Sequence, residues 1–247
     1  MISHLHGDHY YGLMGLISSM HLYGRKKELN IYGPPGLREI ITLQLKYSET
    51  SLNYPVNFKE WTPNVSELIF ENEHLQVHTI PLSHRVSCSG FYFTEKPKSK
   101  RLNKAKIKGI SQLQLIALKK GEDLKDDNGN VKAPNEVYTF EAHPSYSYAY
   151  CSDTKYDEEI AKQIKDVSLL YHEATFMEDM KERAEKTFHS TTKQAGRLAK
   201  LANVEQLIIG HFSTRYKDLS PMIAETREVF SNAELAIEGK TFEVGEF

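Results

Sequence analysis

The sequence predicts an α+β fold, with a single domain over residues 1–247 that is interrupted by one inserted arm. Segments with apolar residues at helical spacing alternate with short apolar runs that are typical of strands. Several of those runs are immediately followed by side chains that can bind metals. A lysine-rich stretch near the middle of the chain breaks the pattern. A chain of this length suits one large domain or two small ones.

Composition and charge are those of an ordinary globular protein. The chain has 33 Asp and Glu against 31 Lys and Arg, and the formal net charge of −2 neither favours nor excludes a nucleic-acid partner. No apolar run approaches the roughly 18–20 residues of a membrane span, so we expect no membrane partner. The two cysteines, Cys88 and Cys151, have no CxxC spacing. This usage indicates buried thiols in a reducing compartment.

The first part of the chain is predicted to contain two helices and several short strands. Apolar residues at helical spacing predict helices over residues 10–23 and 37–47, with a strand at 29–32 between them. The Gly-Pro-Pro-Gly sequence of residues 33–36 ends that strand. Further strands are predicted at residues 57–61, 67–71 and 75–81, and another begins at residue 91.

The segment from about residue 95 to residue 132 is predicted to be the inserted, partly helical arm. Basic residues crowd this segment: Lys96, Lys98, Lys100, Arg101, Lys104, Lys106, Lys108, Lys119, Lys120 and Lys125. A charged run is most often a solvated face, whereas a nucleic-acid site nearby would favour binding of phosphates.

Strands and helices alternate again after the arm. Strands are predicted at residues 147–152, 167–171, 207–209 and 235–244, and helices at 157–164, 176–186 and 222–230. A further helix ends at Ala202 and has Ser190 or Thr191 as its N-cap.

Residues 4–9, with the sequence His-Leu-His-Gly-Asp-His, predict a metal site. Imidazole and carboxylate are common ligands of zinc and related divalent ions. In an extended segment, residues two apart point to the same side, so His4 and His6 can reach one metal. Gly7 permits a sharp turn, after which Asp8 and His9 could face a second metal. The competing interpretation is a cluster of solvated surface histidines.

Other candidate ligands follow apolar runs later in the chain. His84, Asp153 and His211 each stand at the end of a predicted strand, where loops converge in α/β architectures. A carboxylate shared by two cations would offset their repulsion, and Asp153 suits that place. We therefore predict one centre of His4, His6, His84 and Asp153, and a second of Asp8, His9, His211 and Asp153. His172 is expected to be structural rather than a ligand.

These motifs together resemble the metallo-β-lactamase superfamily: residues 4–9, His84, Ser-Asp-Thr at 152–154 and Gly-His-Phe at 210–212. Two further pieces, Tyr-His-Glu-Ala-Thr-Phe at 171–176 and His-Ser-Thr at 189–191, resemble the ribonuclease Z (tRNase Z) family of tRNA 3′-processing endonucleases. Tyr-Tyr-Gly-Leu at 10–13 is also similar to that family. The resemblance extends over essentially the whole chain.

The resemblance implies a metallo-β-lactamase αβ/βα sandwich with two Zn²⁺ per chain at the edges of its sheets. It also implies a cytoplasmic homodimer that cleaves the 3′ trailer from a tRNA precursor, with the arm gripping the tRNA body. Asp8 would orient or deprotonate the attacking water. His189 would act as general acid on the leaving 3′ oxygen, and Glu173 would keep His189 protonated.

The sequence departs from the family in two places. The family normally has some tens of residues before the metal motif, so we expect the chain to be truncated at its N-terminus. Residues 108–114 of the arm have no proline, unlike the Gly/Pro-rich tip of many relatives. Two alternatives remain open: another dimetal hydrolase of the same superfamily, and an inactive truncated fragment that only binds RNA or a partner chain.

Overall fold

The computed structural model describes residues 1–126 and 128–245. The chain divides into two compact units, of which the first comprises Met1–Thr94 and Tyr146–Phe247 and the second Glu95–Ser145. In the part of the chain that is described, no helix combines the length and the apolar character needed to cross a bilayer.

The strands and helices are numbered here in chain order. The strands are β1 (Leu29–Gly33), β2 (Val56–Glu60), β3 (Leu68–Glu71), β4 (Leu75–Leu82), β5 (Cys88–Glu95), β6 (Arg101–Leu102), β7 (Leu124–Lys125), β8 (Val131–Ala133), β9 (Thr139–Phe140), β10 (Ser147–Cys151), β11 (Leu169–Glu173), β12 (Gln206–Gly210) and β13 (Ala233–Leu235). The helices are α1 (Gly7–Tyr10), α2 (Gly12–Leu22), α3 (Leu37–Tyr47), α4 (Gln112–Lys119), α5 (Glu158–Gln163), α6 (Lys181–Thr187), α7 (Thr192–Leu201) and α8 (Ser220–Arg227).

A mixed seven-stranded sheet in the order β13-β12-β11-β10-β5-β4-β3 forms the centre of the first unit. Strands β10 to β13 are parallel, and β5 runs antiparallel to β10. Apolar side chains of the sheet, such as Leu170 and Leu207, are buried against Ile160 of α5 and Leu198 of α7. Because β10, β11 and β12 are adjacent and parallel, their carboxyl ends meet at one edge of the sheet.

A smaller parallel pair, β1 and β2, carries the second core of this unit. Ile31 of β1 packs with Ile17 of α2 and with Leu37 and Ile41 of α3. Leu37 and Ile41 are four residues apart and therefore lie on the same face of α3. Tyr54 joins this core, and its hydroxyl donates to the Ile17 carbonyl at 2.9 Å.

The second unit is organised around α4, whose N-terminus carries a capping box of Ser111 and Gln114. Buried Asn135 donates through Nδ2 to the carbonyl oxygens of Leu118 (2.8 Å) and Glu122 (2.9 Å). Two short antiparallel pairs, β6 with β9 and β7 with β8, complete the unit.

Several predicted boundaries differ from the structure. The helix predicted over residues 10–23 is observed as α2 (Gly12–Leu22), and a separate short helix, α1 (Gly7–Tyr10), precedes it. The strand predicted over residues 235–244 is wrong beyond Leu235, because Gly239 adopts a positive φ of 78° within a turn. The second unit ends at Ser145 rather than near residue 132, since β9 pairs back onto β6 although residues 133–145 have no lysine.

Candidate metal centre

The opening residues form an extended segment that leads into a helix. The Ile2 amide donates to the Tyr32 carbonyl at 2.8 Å, and the Ser89 amide donates to the Ser3 carbonyl at 3.0 Å. His4 and His6 leave this segment on one side, as the period of two requires. The chain then turns into α1 at Gly7, which places Asp8 and His9 in the helix.

His4, His6, His84 and Asp153 form the first cluster, and their ligand atoms all lie within 4.8 Å of one another. His6 Nδ1 is 3.1 Å from His4 Nε2 and 3.1 Å from His84 Nε2. Asp153 Oδ2 is 3.7 Å from each of those two Nε2 atoms. The structure therefore brings together the four side chains predicted for one centre.

Asp8, His9 and His211 form the second cluster, again within 4.8 Å. Asp153 reaches this cluster with its other oxygen, because Oδ1 is 3.4 Å from His9 Nε2 and 3.4 Å from His211 Nε2. Asp153 is buried and stands just after β10, between the two clusters. That position is the one expected of a bridging carboxylate.

Hydrogen bonds at Nδ1 orient three of these imidazoles. His4 Nδ1 is 3.1 Å from Ser3 Oγ, and His84 Nδ1 is 3.0 Å from the Phe188 carbonyl oxygen. His211 Nδ1 is 2.9 Å from Thr175 Oγ1. Acceptors at these positions place the proton on Nδ1, so Nε2 of each ring is free to ligate a metal.

The surroundings favour neutral imidazoles. Burial, followed by the neighbouring rings of His9, His84 and His6, lowers the pKa of His4 to about 3. Burial also lowers the pKa of His9 and of His84, although the Asp153 carboxylate opposes both shifts. A neutral imidazole is the form that binds a metal.

One buried nitrogen supports a cation at this place. Within residues 1–126 and 128–245, His9 Nε2 is buried and has no hydrogen-bond partner. It lies 3.4 Å from carboxylate oxygens of both Asp8 and Asp153. A buried polar atom without a partner is costly, and a divalent ion among these nitrogen and oxygen donors would satisfy it. The donor set therefore fits a metal.

Glu173 and His189 form a separate pair beside the clusters. His189 Nδ1 donates to Glu173 Oε1 at 2.9 Å. Glu173 is fully buried at the end of β11, and backbone amides of Thr154 and Thr175 donate to its two oxygens at 3.0 Å each. Burial by itself would lower the pKa of His189, but the Glu173 carboxylate outweighs burial and raises it. His189 also groups with Asp153 and His211 within ligand distance.

Thr175 is a site residue that sequence reasoning missed. Its hydroxyl donates to Glu173 Oε2 at 2.7 Å and lies 2.9 Å from His211 Nδ1. It thus connects the Glu173–His189 pair to the second cluster. Its position two residues after Glu173 places both side chains on one side of an extended segment, and that spacing could have indicated it.

His172 lies away from both clusters. It is fully buried, and its Nδ1 donates to the Glu173 carbonyl oxygen at 2.6 Å. Of the residues described, none of His21, His74, His78 and His143 joins a group that could hold a metal.

Comparisons with known proteins place this arrangement in context. No protein-family model matches the chain. The ribonuclease Z of Cytophaga hutchinsonii is 50% identical over 241 residues, which cover 97% of this chain and 77% of that protein. The crystal structure of the short form of human tRNase Z has a TM-score of 0.69 at 23% identity, and the alignment covers 99% of this chain and 78% of that chain. A metallo-β-lactamase fold protein from Bacillus subtilis has a TM-score of 0.62 at 17% identity over 96% of this chain and 74% of that chain. The predicted metallo-β-lactamase fold is thereby confirmed.

Proposed function

Because the chain belongs to the ribonuclease Z family of tRNA 3′-processing endonucleases, we propose that its two side-chain clusters hold a pair of zinc ions that serve this cleavage. The observation that carries the proposal is the place of Asp153, whose two oxygens face different clusters. The first ion would be held by His4, His6, His84 and Asp153. The second would be held by Asp8, His9, His211 and Asp153.

When bound, two zinc ions lower the pKa of a water and polarise the scissile phosphate. Asp8 stands at the open side of the second cluster, where its side chain is 70% exposed. Its Oδ2 is 3.4 Å from His9 Nε2 and 3.9 Å from His211 Nε2. From this position, the carboxylate orients or deprotonates the attacking water.

His189 supplies the proton that the leaving 3′ oxygen needs. Its Nδ1 is engaged with Glu173, so Nε2 is the nitrogen available to the substrate. The buried Glu173 carboxylate fixes the orientation of the ring and favours its protonated form, as a general acid at near-neutral pH requires. Glu173 is accordingly a positioning residue, and His189 is the catalytic one.

The second unit is proposed to bind the tRNA body. It contains eleven Lys and Arg against seven Asp and Glu, and no acidic residue occurs between residues 96 and 121. Lys104, Lys106 and Lys108 are exposed. Exposed cations at this density suit contacts with phosphates that are electrostatic and sensitive to salt.

We propose that the protein is a homodimer in the cytoplasm. An apolar groove of 410 Å³ lies between α2 and α3 and includes Tyr11, Leu43 and Tyr47. These side chains are 72%, 54% and 78% exposed, and exposed apolar surface of this kind marks interaction sites. Two buried free cysteines suit a reducing compartment.

Cleavage of a tRNA precursor tests the function. With zinc present, the protein should release the trailer and leave a 3′ hydroxyl on the tRNA. It should prefer this substrate to bis(p-nitrophenyl) phosphate, whereas the reverse preference would indicate another dimetal hydrolase. Metal analysis should find about two zinc ions per chain. Absence of both metal and cleavage would indicate the inactive fragment.

A further inference from the structure

A polar cavity of 510 Å³ opens beside the two clusters. Its walls include His6 of the first cluster, His189, Arg85 and Lys186. Its volume falls within the roughly 300–1,000 Å³ of typical small-ligand sites. Since both a candidate metal ligand and the proposed general acid line it, a substrate group in this cavity would adjoin the reacting bond.

Two cations, Arg85 and Lys186, lie on its walls. Among the described residues, neither Arg85 nor Lys186 has a carboxylate within ion-pair distance. Lys155 adds a third positive charge nearby, with its Nζ 4.4 Å from the centre of the Phe188 ring, which also belongs to the cavity wall. Asp8 is the one carboxylate on the described wall, and it points toward the second cluster. The remaining charges therefore suit an anion.

The contact between Arg85 and His6 indicates where in the cavity an anion would bind. Arg85 Nη2 lies 3.2 Å from His6 Nε2. His6 Nδ1 faces the rings of His4 and His84 and is the nitrogen that would ligate the metal. With a metal on Nδ1, the proton of the neutral ring would be on Nε2. Guanidinium groups only donate, so the Arg85–His6 hydrogen bond, in which Nε2 accepts, would then be replaced by two adjacent donors that require a common acceptor.

We propose that Arg85 and His6 Nε2–H together bind a non-bridging phosphate oxygen of the substrate RNA, with Lys186 supplying charge to the same cavity. Guanidinium and imidazole donors on one phosphate form charge-assisted hydrogen bonds. This proposal rests on the proposed function and names a phosphate-binding subsite within it.

His189 indicates which phosphate is bound. The oxygen that His189 protonates belongs to the last nucleotide of the tRNA, and His189 lines this cavity. That nucleotide is therefore the one beside Arg85. The subsite therefore binds the phosphate on the 5′ side of that nucleotide, which is one linkage upstream of the scissile bond.

The test combines Arg85→Met with an uncharged linkage in the RNA. The matched control is Arg183→Met, because Arg183 is an exposed arginine on α6 that lies outside this cavity. Three tRNA precursors share the same 2′-deoxy sugars: one unmodified, one with a methylphosphonate at the proposed upstream linkage and one with it at the first linkage inside the trailer. The protein carries its zinc throughout.

We expect Arg85→Met to lower kcat/KM on the unmodified precursor by about tenfold, the effect of one charge-assisted hydrogen bond. The upstream methylphosphonate should cost the wild-type protein a similar factor and the Arg85→Met protein almost nothing. Arg183→Met should behave as the wild type does. If the losses caused by Arg85→Met and by the upstream methylphosphonate multiply, the two groups act independently and the proposal is overturned. If Arg85→Met is instead coupled to the methylphosphonate in the trailer, the phosphate was assigned to the wrong side of the scissile bond.

Binding provides a measurement that does not depend on cleavage. The Kd for a tRNA without a trailer, measured against salt concentration, should have a slope smaller by about one in the Arg85→Met protein. An unchanged slope and Kd would refute the subsite even if the wild type proved unable to cut precursors. Failure of the wild type to cut, with the slope changed as expected, would refute only the proposed function.

Discussion

Replacing Glu173 with glutamine separates proton donation from the rest of the chemistry. Glu173 is fully buried and accepts four hydrogen bonds: from the Thr154 amide and His189 Nδ1 on one oxygen, and from the Thr175 amide and hydroxyl on the other. Glutamine keeps the shape but loses the charge, and its NH₂ group must face at least one backbone N–H. A buried unsatisfied donor costs about 1–3 kcal/mol, so Glu173→Gln should lower the free energy of unfolding by that amount.

The effect on catalysis should be larger. Glu173 outweighs the burial that would otherwise lower the pKa of His189. Without the carboxylate, that pKa falls, so less of the acid is protonated at a given pH. General acid catalysis contributes about 10²–10⁴-fold, and we expect kcat on a tRNA precursor to fall by roughly 10²-fold. The alkaline limb of its pH profile should move to lower pH.

The assay compares two substrates at equal zinc content. A p-nitrophenolate leaves without protonation, so hydrolysis of bis(p-nitrophenyl) phosphate should be almost unaffected by Glu173→Gln or by His189→Ala. Glu182→Gln, an exposed position on α6, is the matched control. Equal losses on both substrates with metal content unchanged would refute the assignment of His189 as the acid, whereas equal losses with a reduced metal content would indicate a role in holding metal.

Other perturbations address the remaining parts of the site. Asp153→Asn should reduce zinc content below about two ions per chain, measured by elemental analysis, and retention of both ions would contradict a bridging role. Thr175→Val removes the acceptor at His211 Nδ1 and should weaken zinc binding at the second cluster by about 10–100-fold in chelator competition; unchanged affinity would show that the bond does not matter. Chelation of zinc present at about 100 times its Kd should remove roughly 2.7 kcal/mol of stability, which lowers Tm by about 5–10 °C, and a constant Tm would argue against folded-state metal binding. Reversing charge at Lys104, Lys106 and Lys108 should raise KM for the precursor and reduce the salt slope by up to about three, while bis(p-nitrophenyl) phosphate turnover stays unchanged; equal effects on both substrates would exclude an arm-specific role.

The sequence was most informative where local pattern decides the structure. The helix predicted over residues 37–47 coincides with α3, because its apolar residues repeat at helical spacing and Gly36 precedes them. The convergence of His84, Asp153 and His211 could be predicted because each follows a buried strand, and strand ends meet at one edge of a sheet. The candidate metal ligands among residues 4–9 could be predicted from residue type and spacing alone.

Other features depend on contacts between distant segments and were not predictable. The role of Thr175 arises only when β11 and β12 bring Glu173 and His211 together. The proximity of Arg85 to His6 joins residues far apart in sequence. Lysine content marked where the arm begins, whereas its end depends on the pairing of β6 with β9. The alternating residues after Leu235 suggested a strand, but the turn at Gly239 stops it.

The bond between His84 and Phe188 has a consequence for mutational scanning. The acceptor is a main-chain oxygen, presented by a residue whose φ of 61° lies in the left-handed region. Exchanging the phenyl group therefore leaves the acceptor in place, and glycine or asparagine would suit this backbone conformation well. Substitutions at Phe188 should therefore have little effect on the orientation of His84. Inserting or deleting one residue beside Phe188 would instead displace both its carbonyl oxygen and the adjacent His189.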